Sequence, residues 1–127
     1  MKEYFSYKKC SVCGNVVTDE LGSTANVVCC GKPMETLTAN TTDAAVEKHV
    51  PHIEVNDGEL LVRVGSVEHP MTKEHYIMWV SQVAGNRETK VLLAPEQSTE
   101  VRFPLIKDCK IYAYCNLHGL WVAEYKG

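Results

Sequence analysis

The stretch His52–Val64 reads HIEVNDGELLVRV and predicts a β-hairpin. Two runs rich in strand-forming residues, His52–Val55 and Glu59–Val64, lie on either side of the pair Asp57-Gly58. Asp-Gly between such runs is a strong hairpin signal. The sequence therefore predicts antiparallel β-structure at the start of the C-terminal part of the chain.

The chain beyond this hairpin repeats the same pattern of short strand-like runs separated by turn residues. These runs are Tyr76–Val83, which Ala84-Gly85-Asn86 ends, Thr89–Leu93, Thr99–Phe103, Lys110–Tyr114 and Leu120–Tyr125. No segment shows a convincing helical period. Strands at short, regular spacing predict an antiparallel β-sandwich.

Five side chains of the kind that bind metals lie at the ends of these predicted strands or in the loops between them. They are His49, His69, His75, Cys115 and His118. A sandwich can gather such loops at one surface, and cysteine with histidine indicates a metal of intermediate softness such as iron or zinc. Taken alone, the pair Cys115 and His118 is equally consistent with a packed cysteine and an unrelated histidine. The other three histidines favour a metal site.

Two further residues of ligand type are expected to have ordinary structural roles. His52 lies inside a predicted strand, where a lone histidine is more often structural or on the surface. Cys109 has no ligand-type neighbour in the sequence and is predicted to be a packed thiol.

The N-terminal segment, residues 1–37, contains the other four cysteines. Cys10 and Cys13 form a C-x-x-C motif followed by Gly14, which is typical of a metal knuckle, and Cys29-Cys30 precedes Gly31. Neighbouring residues of an extended chain point in opposite directions, so Cys29 and Cys30 can bind one ion only if the backbone bends there. Four thiolates do not distinguish zinc from iron. So small a segment has little core, so metal binding would supply much of its folding free energy.

Length and composition restrict the possible function classes. The 127 residues suit one domain, or a very small and a medium one, and residues 38–46 are small and polar, as in a linker. The net charge of −3 argues against nucleic-acid binding, and no apolar run approaches the length of a membrane helix. The N-terminus has no apolar core of signal-peptide type, so we expect a cytoplasmic protein whose thiols stay reduced.

These motifs together resemble the desulfoferrodoxin family, the two-iron class of superoxide reductases. Residues 1–37 resemble desulforedoxin, and residues 38–127 resemble the family's immunoglobulin-like catalytic domain. The resemblance implies a first iron held by four cysteines and a second, catalytic iron held by four histidines and one cysteine. The matching ligands are Cys10, Cys13, Cys29 and Cys30 for the first iron, and His49, His69, His75, Cys115 and His118 for the second.

The resemblance also implies an activity and partners. Superoxide would be reduced to hydrogen peroxide without release of dioxygen, as a detoxification reaction that consumes electrons from a rubredoxin-like donor. In the family, the lysine that matches Lys48 attracts superoxide and helps to protonate the reduced species. The glutamate that matches Glu47 occupies the sixth position of the oxidised iron. A homodimer is expected, with no nucleic acid or membrane partner.

Two alternatives from other classes remain open at this point. The first is a non-catalytic electron carrier or a zinc-stabilised binding module, in which both metal sites are structural. The second is a superoxide dismutase, which would also oxidise superoxide to dioxygen. For Glu47 and Lys48 themselves, the alternative is a solvated ion pair on a loop.

Overall fold

The computed structural model describes residues 4–20, 27–42 and 44–127, and it divides into two compact units. Unit 1 is Met1–Thr38 and unit 2 is Ala39–Gly127. Within the described residues, no helix is long and apolar enough to cross a membrane. The division of function between residues 1–37 and 38–127 stays a prediction.

The described residues of unit 1 form five short strands. They are β1 (Phe5–Lys9), β2 (Val16–Glu20), β3 (Val28–Cys29), β4 (Lys32–Pro33) and β5 (Glu35–Thr36). The strands β2, β1 and β5 form one antiparallel sheet in that order, and β3 pairs with β4 in a separate hairpin. The four cysteines lie in the loop after β1 and in the β3–β4 hairpin.

Unit 2 is an antiparallel β-sandwich preceded by one helical turn. Its elements are α1 (Val46–His49), β6 (Pro51–Asn56), β7 (Glu59–Val64), β8 (Ile77–Ala84), β9 (Arg87–Leu92), β10 (Val101–Pro104), β11 (Cys109–Cys115) and β12 (Gly119–Tyr125). One sheet has the order β10-β7-β6 and the other has the order β12-β11-β8-β9. The predicted mainly β fold with an immunoglobulin-like sandwich is therefore confirmed, and the strand ends differ from the predicted ones by one or two residues.

The predicted hairpin forms as the sequence indicates. Asn56 pairs with Glu59 across the two-residue turn, and both turn residues have positive φ, 52° at Asp57 and 75° at Gly58. Such a turn matches the twist of the two strands it joins. The helical turn α1 was not predicted, because four residues are too few to show a helical period.

The core of unit 2 lies between its two sheets. It is formed by buried apolar side chains that include Leu60, Val62 and Phe103 from one sheet and Ile77 and Ile111 from the other. Burying each such side chain contributes roughly 1.5–3 kcal/mol to folding. Cys109 joins this core as a packed thiol, as predicted, and His52 is exposed on β6.

The strand pairing brings the segments that carry the five predicted ligands to one end of the sandwich. Pro51 at the start of β6 pairs with Val64 at the end of β7, and Cys115 at the end of β11 pairs with Ile77 at the start of β8 and Gly119 at the start of β12. The loops that leave these positions therefore face the same side of the molecule, and this end of the sandwich is where a site can be built.

Candidate metal centres

The four cysteines of unit 1 form one cluster, as predicted. Their sulfur atoms all lie within 4.8 Å of one another, and Cys13 Sγ is 3.7 Å from Cys29 Sγ. A tetrahedral ion with metal–sulfur bonds of about 2.3 Å has sulfur–sulfur edges of about 3.8 Å. The cluster therefore fits a single tetrahedral metal ion.

The backbone conformation explains how adjacent cysteines can serve one ion. Cys30 has φ of 53° and Gly31 has φ of 76°, so the chain turns sharply at Cys30. The predicted bend at the Cys29-Cys30 pair is confirmed, and it lies at Cys30 itself. At the other pair, the backbone N–H groups of Val12 and Cys13 donate to Cys10 Sγ at 3.4 Å. These donors, with that of Cys13 first, lower the pKa of Cys10 to about 6 and favour the thiolate that a metal needs.

The five predicted ligands of unit 2 also form one cluster, with their ligand atoms within 4.8 Å of one another. Three of them are buried, with exposed fractions of 2% for His49, 1% for His69 and 0% for Cys115, and the other two are half-buried. Sequence reasoning thus named every member of this cluster. Among the described residues, each unit contains one such set of ligands.

The four imidazoles form a square. Ring centroids are 4.6–4.9 Å apart for the successive pairs His49–His69, His69–His75, His75–His118 and His118–His49, and the rings of each pair are nearly perpendicular. His49 and His75, across the diagonal, are 6.4 Å apart and nearly parallel. A square with these edges has a diagonal close to this length. All four rings therefore face one central point.

Cys115 also lies close to this central point. Its Sγ is 3.5 Å from His69 Nε2 and 3.9 Å from His118 Nδ1, two ring nitrogens that are opposite each other in the square. Cys115 Sγ is therefore the fifth ligand atom beside the four imidazoles. An octahedral ion held by these five side chains would have one position left for another ligand.

Two ring nitrogens face each other as two ligands of one cation would. His49 Nδ1 lies 2.7 Å from the carbonyl of Ala45, and His69 Nδ1 lies 2.7 Å from the carbonyl of Pro70. Each Nδ1 must carry the proton to donate to a carbonyl, so each Nε2 has a lone pair. The two Nε2 atoms lie only 3.1 Å apart, as two nitrogens would on a metal ion with bonds of about 2.1 Å at right angles.

The remaining polar atoms of the site agree with metal binding. His75 Nε2 is buried and has no hydrogen-bond partner among the described residues. Burial lowers the pKa of His69 to about 4 and also lowers the pKa of His49 and His75, so these imidazoles are neutral at neutral pH. Burial raises the pKa of Cys115, and the backbone N–H groups of Leu117 and His118 oppose this increase. Metal binding at this site would therefore release the thiol proton.

Several residues that support the site were missed by sequence reasoning. The Trp121 ring stacks on His49 with centroids 4.9 Å apart, and its Nε1–H donates to the carbonyl of His118 at 3.0 Å. Trp121 is three residues after His118, and an aromatic residue that close to a predicted ligand was the sequence feature that could have indicated this contact. Asn116, between two predicted ligands, bonds to backbone atoms on both sides of His75.

The two predicted catalytic residues lie next to a ligand on α1. Glu47 and Lys48 are both exposed, and the positive charge of Lys48 contributes to the lowered pKa of His49 and of His75. Lys48 also lines an open cleft of about 640 Å³ with Glu68, His69 and other residues. Lys48 is therefore accessible to solvent, and its charge acts on the imidazoles of His49 and His75.

Comparison with known proteins places these features in a family. A family model described as Desulfoferrodoxin matches residues 41–124. A desulfoferrodoxin of Syntrophotalea carbinolica is 46% identical over 98% of this chain and 99% of its own. The superoxide reductase of Treponema pallidum has a TM-score of 0.75 and 35% identity, over 95% of this chain and 99% of its own. A one-iron superoxide reductase of Giardia intestinalis has a TM-score of 0.57 and 28% identity, over 64% of this chain and 99% of its own.

Proposed function

We propose, since this chain belongs to the desulfoferrodoxin family, that it is a superoxide reductase that converts superoxide to hydrogen peroxide at the four-histidine, one-cysteine site. The observation that carries this conclusion is the square of four imidazoles with one thiol beside it, in which the Nε2 atoms of His49 and His69 face each other. The chain uses two irons, one at this site and one at the four-cysteine site.

The side chains of the second site determine its charge and its open position. When bound there as Fe(II), iron supplies the single electron that reduces superoxide. The four neutral imidazoles and the one thiolate contribute a total charge of only −1, so the loaded site keeps a net positive charge that attracts a small anion. Cys115 would hold the iron together with the four imidazoles, and its thiolate would donate electron density to the metal.

Lys48 is the proposed substrate-attracting and proton-donating residue. Its ammonium group lies on the exposed face of α1 next to His49, and its charge acts on both His49 and His75. An exposed cation close to the site raises the encounter rate with an anion and makes that rate depend on ionic strength. Lys48 Nζ also holds a proton that it can give, directly or through water, to the reduced oxygen species.

Glu47 is the proposed sixth ligand of the oxidised site. It is the neighbour of Lys48 on the same exposed turn, and its carboxylate contributes to the electrostatics of His49. Because Glu47 is exposed, its carboxylate could move to and from that sixth position. It would protect the oxidised site from other anions and leave when the site is reduced.

The two units are proposed to divide the work, with residues 1–37 as the desulforedoxin-like domain and residues 38–127 as the catalytic domain. The Giardia intestinalis protein supports this division, because 99% of its length matches only 64% of this chain. The four-cysteine iron carries a net negative charge, which suits a one-electron store and not a site for an anionic substrate. We further propose a rubredoxin-like electron donor, a homodimer and a cytoplasmic location, which follow from the family resemblance.

The experiment that tests the role of Lys48 compares three variants by pulse radiolysis. Lys48→Ala is expected to slow the bimolecular reaction with superoxide and to flatten its salt dependence. Lys48→Arg keeps the charge but gives up its proton far less readily, so it should retain the encounter rate and slow the later protonation. Lys73→Ala changes the net charge by the same amount on the exposed loop before His75 and serves as the matched control.

The outcomes separate a local role from a general charge effect. If Lys48→Ala and Lys73→Ala reduce the rate equally, Lys48 acts only through net charge. An unchanged rate in Lys48→Ala would refute its role in attracting the substrate. Release of dioxygen in place of stoichiometric consumption of a reductant would refute superoxide reduction itself.

A further inference from the structure

The side chain of Asn116 bridges the backbone on both sides of His75. Its Nδ2 donates to the carbonyl of Glu74 at 2.9 Å, and its Oδ1 accepts the backbone N–H of Tyr76 at 3.0 Å. The backbone N–H of Asn116 also donates to the carbonyl of Tyr76 at 3.2 Å. Three hydrogen bonds thus attach the loop that carries Cys115 and His118 to the segment that carries His75.

His75, which is half-buried, needs such a restraint more than the buried His49 and His69 do. The rings of His49 and His69 are each oriented by a hydrogen bond from Nδ1 to a backbone carbonyl. Among the described residues, no hydrogen bond reaches a ring nitrogen of His75, and its buried Nε2 has no partner at all. The direction of this ring therefore depends on how firmly its backbone is held.

A second restraint holds His75 from the N-terminal side. The backbone of Thr72 and that of His75 exchange two hydrogen bonds, of 3.0 and 3.2 Å, and Thr72 Oγ1 contacts the same groups. This tight turn sets the local conformation of residues 72–75. The bonds between Thr72 and His75 lie within the turn, so by themselves they do not set the position of His75 relative to the other ligands; the turn is attached to the Cys115 loop by the bond from Asn116 Nδ2 to the carbonyl of Glu74.

We propose that Asn116 is a positioning residue that aligns His75 with the thiolate and the other imidazoles of the second site. It touches neither substrate nor metal and acts through the backbone of Glu74 and Tyr76. Residues that orient metal ligands typically change metal affinity or activity by about 10–100-fold when they are replaced. This inference rests on the proposed function only in taking His75 as a ligand.

Asn116→Ala tests this proposal, with Asn40→Ala as the matched control. Asn40 makes the same kind of double contact, with Nδ2 on the carbonyl of Val122 at 3.2 Å and Oδ1 on the N–H of Val122 at 2.9 Å. Val122, the strand residue that Asn40 contacts, is not a metal ligand. Both variants should lower the urea midpoint of unit 2, so stability alone does not distinguish positioning from simple attachment of a loop.

The decisive measurements are the release of iron to a chelator and the electron paramagnetic resonance spectrum of the oxidised second site. In Asn116→Ala, we expect iron to leave the second site about 10–100-fold faster and the rhombicity of its signal to change. Asn40→Ala should match the wild type in both. The four-cysteine iron should be unaffected in either variant and serves as an internal standard.

A second variant covers the case in which Asn116→Ala does not fold. Asn116→Asp keeps the acceptor for the N–H of Tyr76 and loses the donor to Glu74. Its added negative charge would by itself strengthen cation binding and slow the release of iron. Faster release would therefore indicate that His75 is no longer aligned with the other ligands. Release and spectra equal to those of the wild type in the folded variant would overturn the proposal. A wild-type chain that holds no iron at the second site would instead contradict the proposed function.

Discussion

Gly65 is the position at which one added methyl group should disturb Lys48 most directly. Gly65 has φ of 84°, and a Cβ added there would lie 2.7 Å from both the carbonyl carbon and the carbonyl oxygen of Lys48. It would also overlap the carbonyl oxygen of Val67. All three atoms belong to the backbone, so no rotamer change can relieve the contact. The turn that carries Lys48 and His49 has to move away.

The matched control is Gly58→Ala in the β6–β7 hairpin. Gly58 has φ of 75°, close to that of Gly65, and a Cβ added there meets nothing within 4 Å. The control therefore experiences the cost of a left-handed conformation alone, about 1–2 kcal/mol, and Gly65→Ala adds the backbone overlap. Overpacking of this kind typically costs about 1–3 kcal/mol. We therefore expect the free energy of unfolding of Gly65→Ala to be lower than that of Gly58→Ala by about 1–3 kcal/mol.

Urea unfolding followed by tryptophan fluorescence measures this difference. Both tryptophans of the chain, Trp79 and Trp121, lie in unit 2, so the signal reports the unit that contains both glycines. The bimolecular rate with superoxide should fall in Gly65→Ala, because Lys48 is displaced, and remain unchanged in Gly58→Ala. If Gly65→Ala is no less stable than Gly58→Ala, the close approach of Gly65 to Lys48 does not constrain the turn.

Three further predictions concern the ligands and their neighbours. In Glu47→Ala, the ferric absorption band should respond to pH and added anions differently from the wild type while superoxide reduction continues; identical spectra at every pH would count against a coordinating carboxylate. Elemental analysis and an activity assay should show that Cys13→Ser loses the first iron and still reduces superoxide. Cys115→Ser should keep the first iron and lose the activity. Inactivity of Cys13→Ser with the second iron loaded would refute this division. In the metal-free chain, burial lowers the pKa of His69 from 6.5 to about 4. As the pH falls, His69 is therefore protonated at a higher pH in the unfolded chain than in the folded chain. The free energy of unfolding should therefore fall by up to about 3 kcal/mol as the pH drops from 6.5 to 4, which urea midpoints would show.

The residues that could be predicted from the sequence are those whose chemistry is local. Asp57-Gly58 identifies its hairpin because the turn conformation depends on those two residues. Cys10 and Cys13 indicate a metal knuckle at their own spacing. The histidines could be assigned to one site because they lie next to strand ends, and an antiparallel sandwich has few places where strand ends converge.

The residues that the sequence did not reveal act over long separations along the chain. Asn116 contacts Glu74 from 42 residues away, and no local pattern marks that contact. Gly65 resembles an ordinary turn glycine until the backbone of Lys48 is seen beside it. The sequence indicated that the chain must bend at the Cys29-Cys30 pair to serve one ion, but it did not indicate that Cys30 itself would adopt a positive φ beside Gly31.

The spacing of each ligand set along the chain has a consequence for the order of assembly during synthesis. The ligands of the first site all lie within residues 10–30, so only short loops must close before an ion can be held. In the second site, His49 and His118 are 69 residues apart, and the last ligand emerges just before β12. Long loops close more slowly, and a nascent chain emerges N-terminus first. A growing polypeptide can therefore acquire its first metal while the residues that complete its catalytic site have yet to be translated.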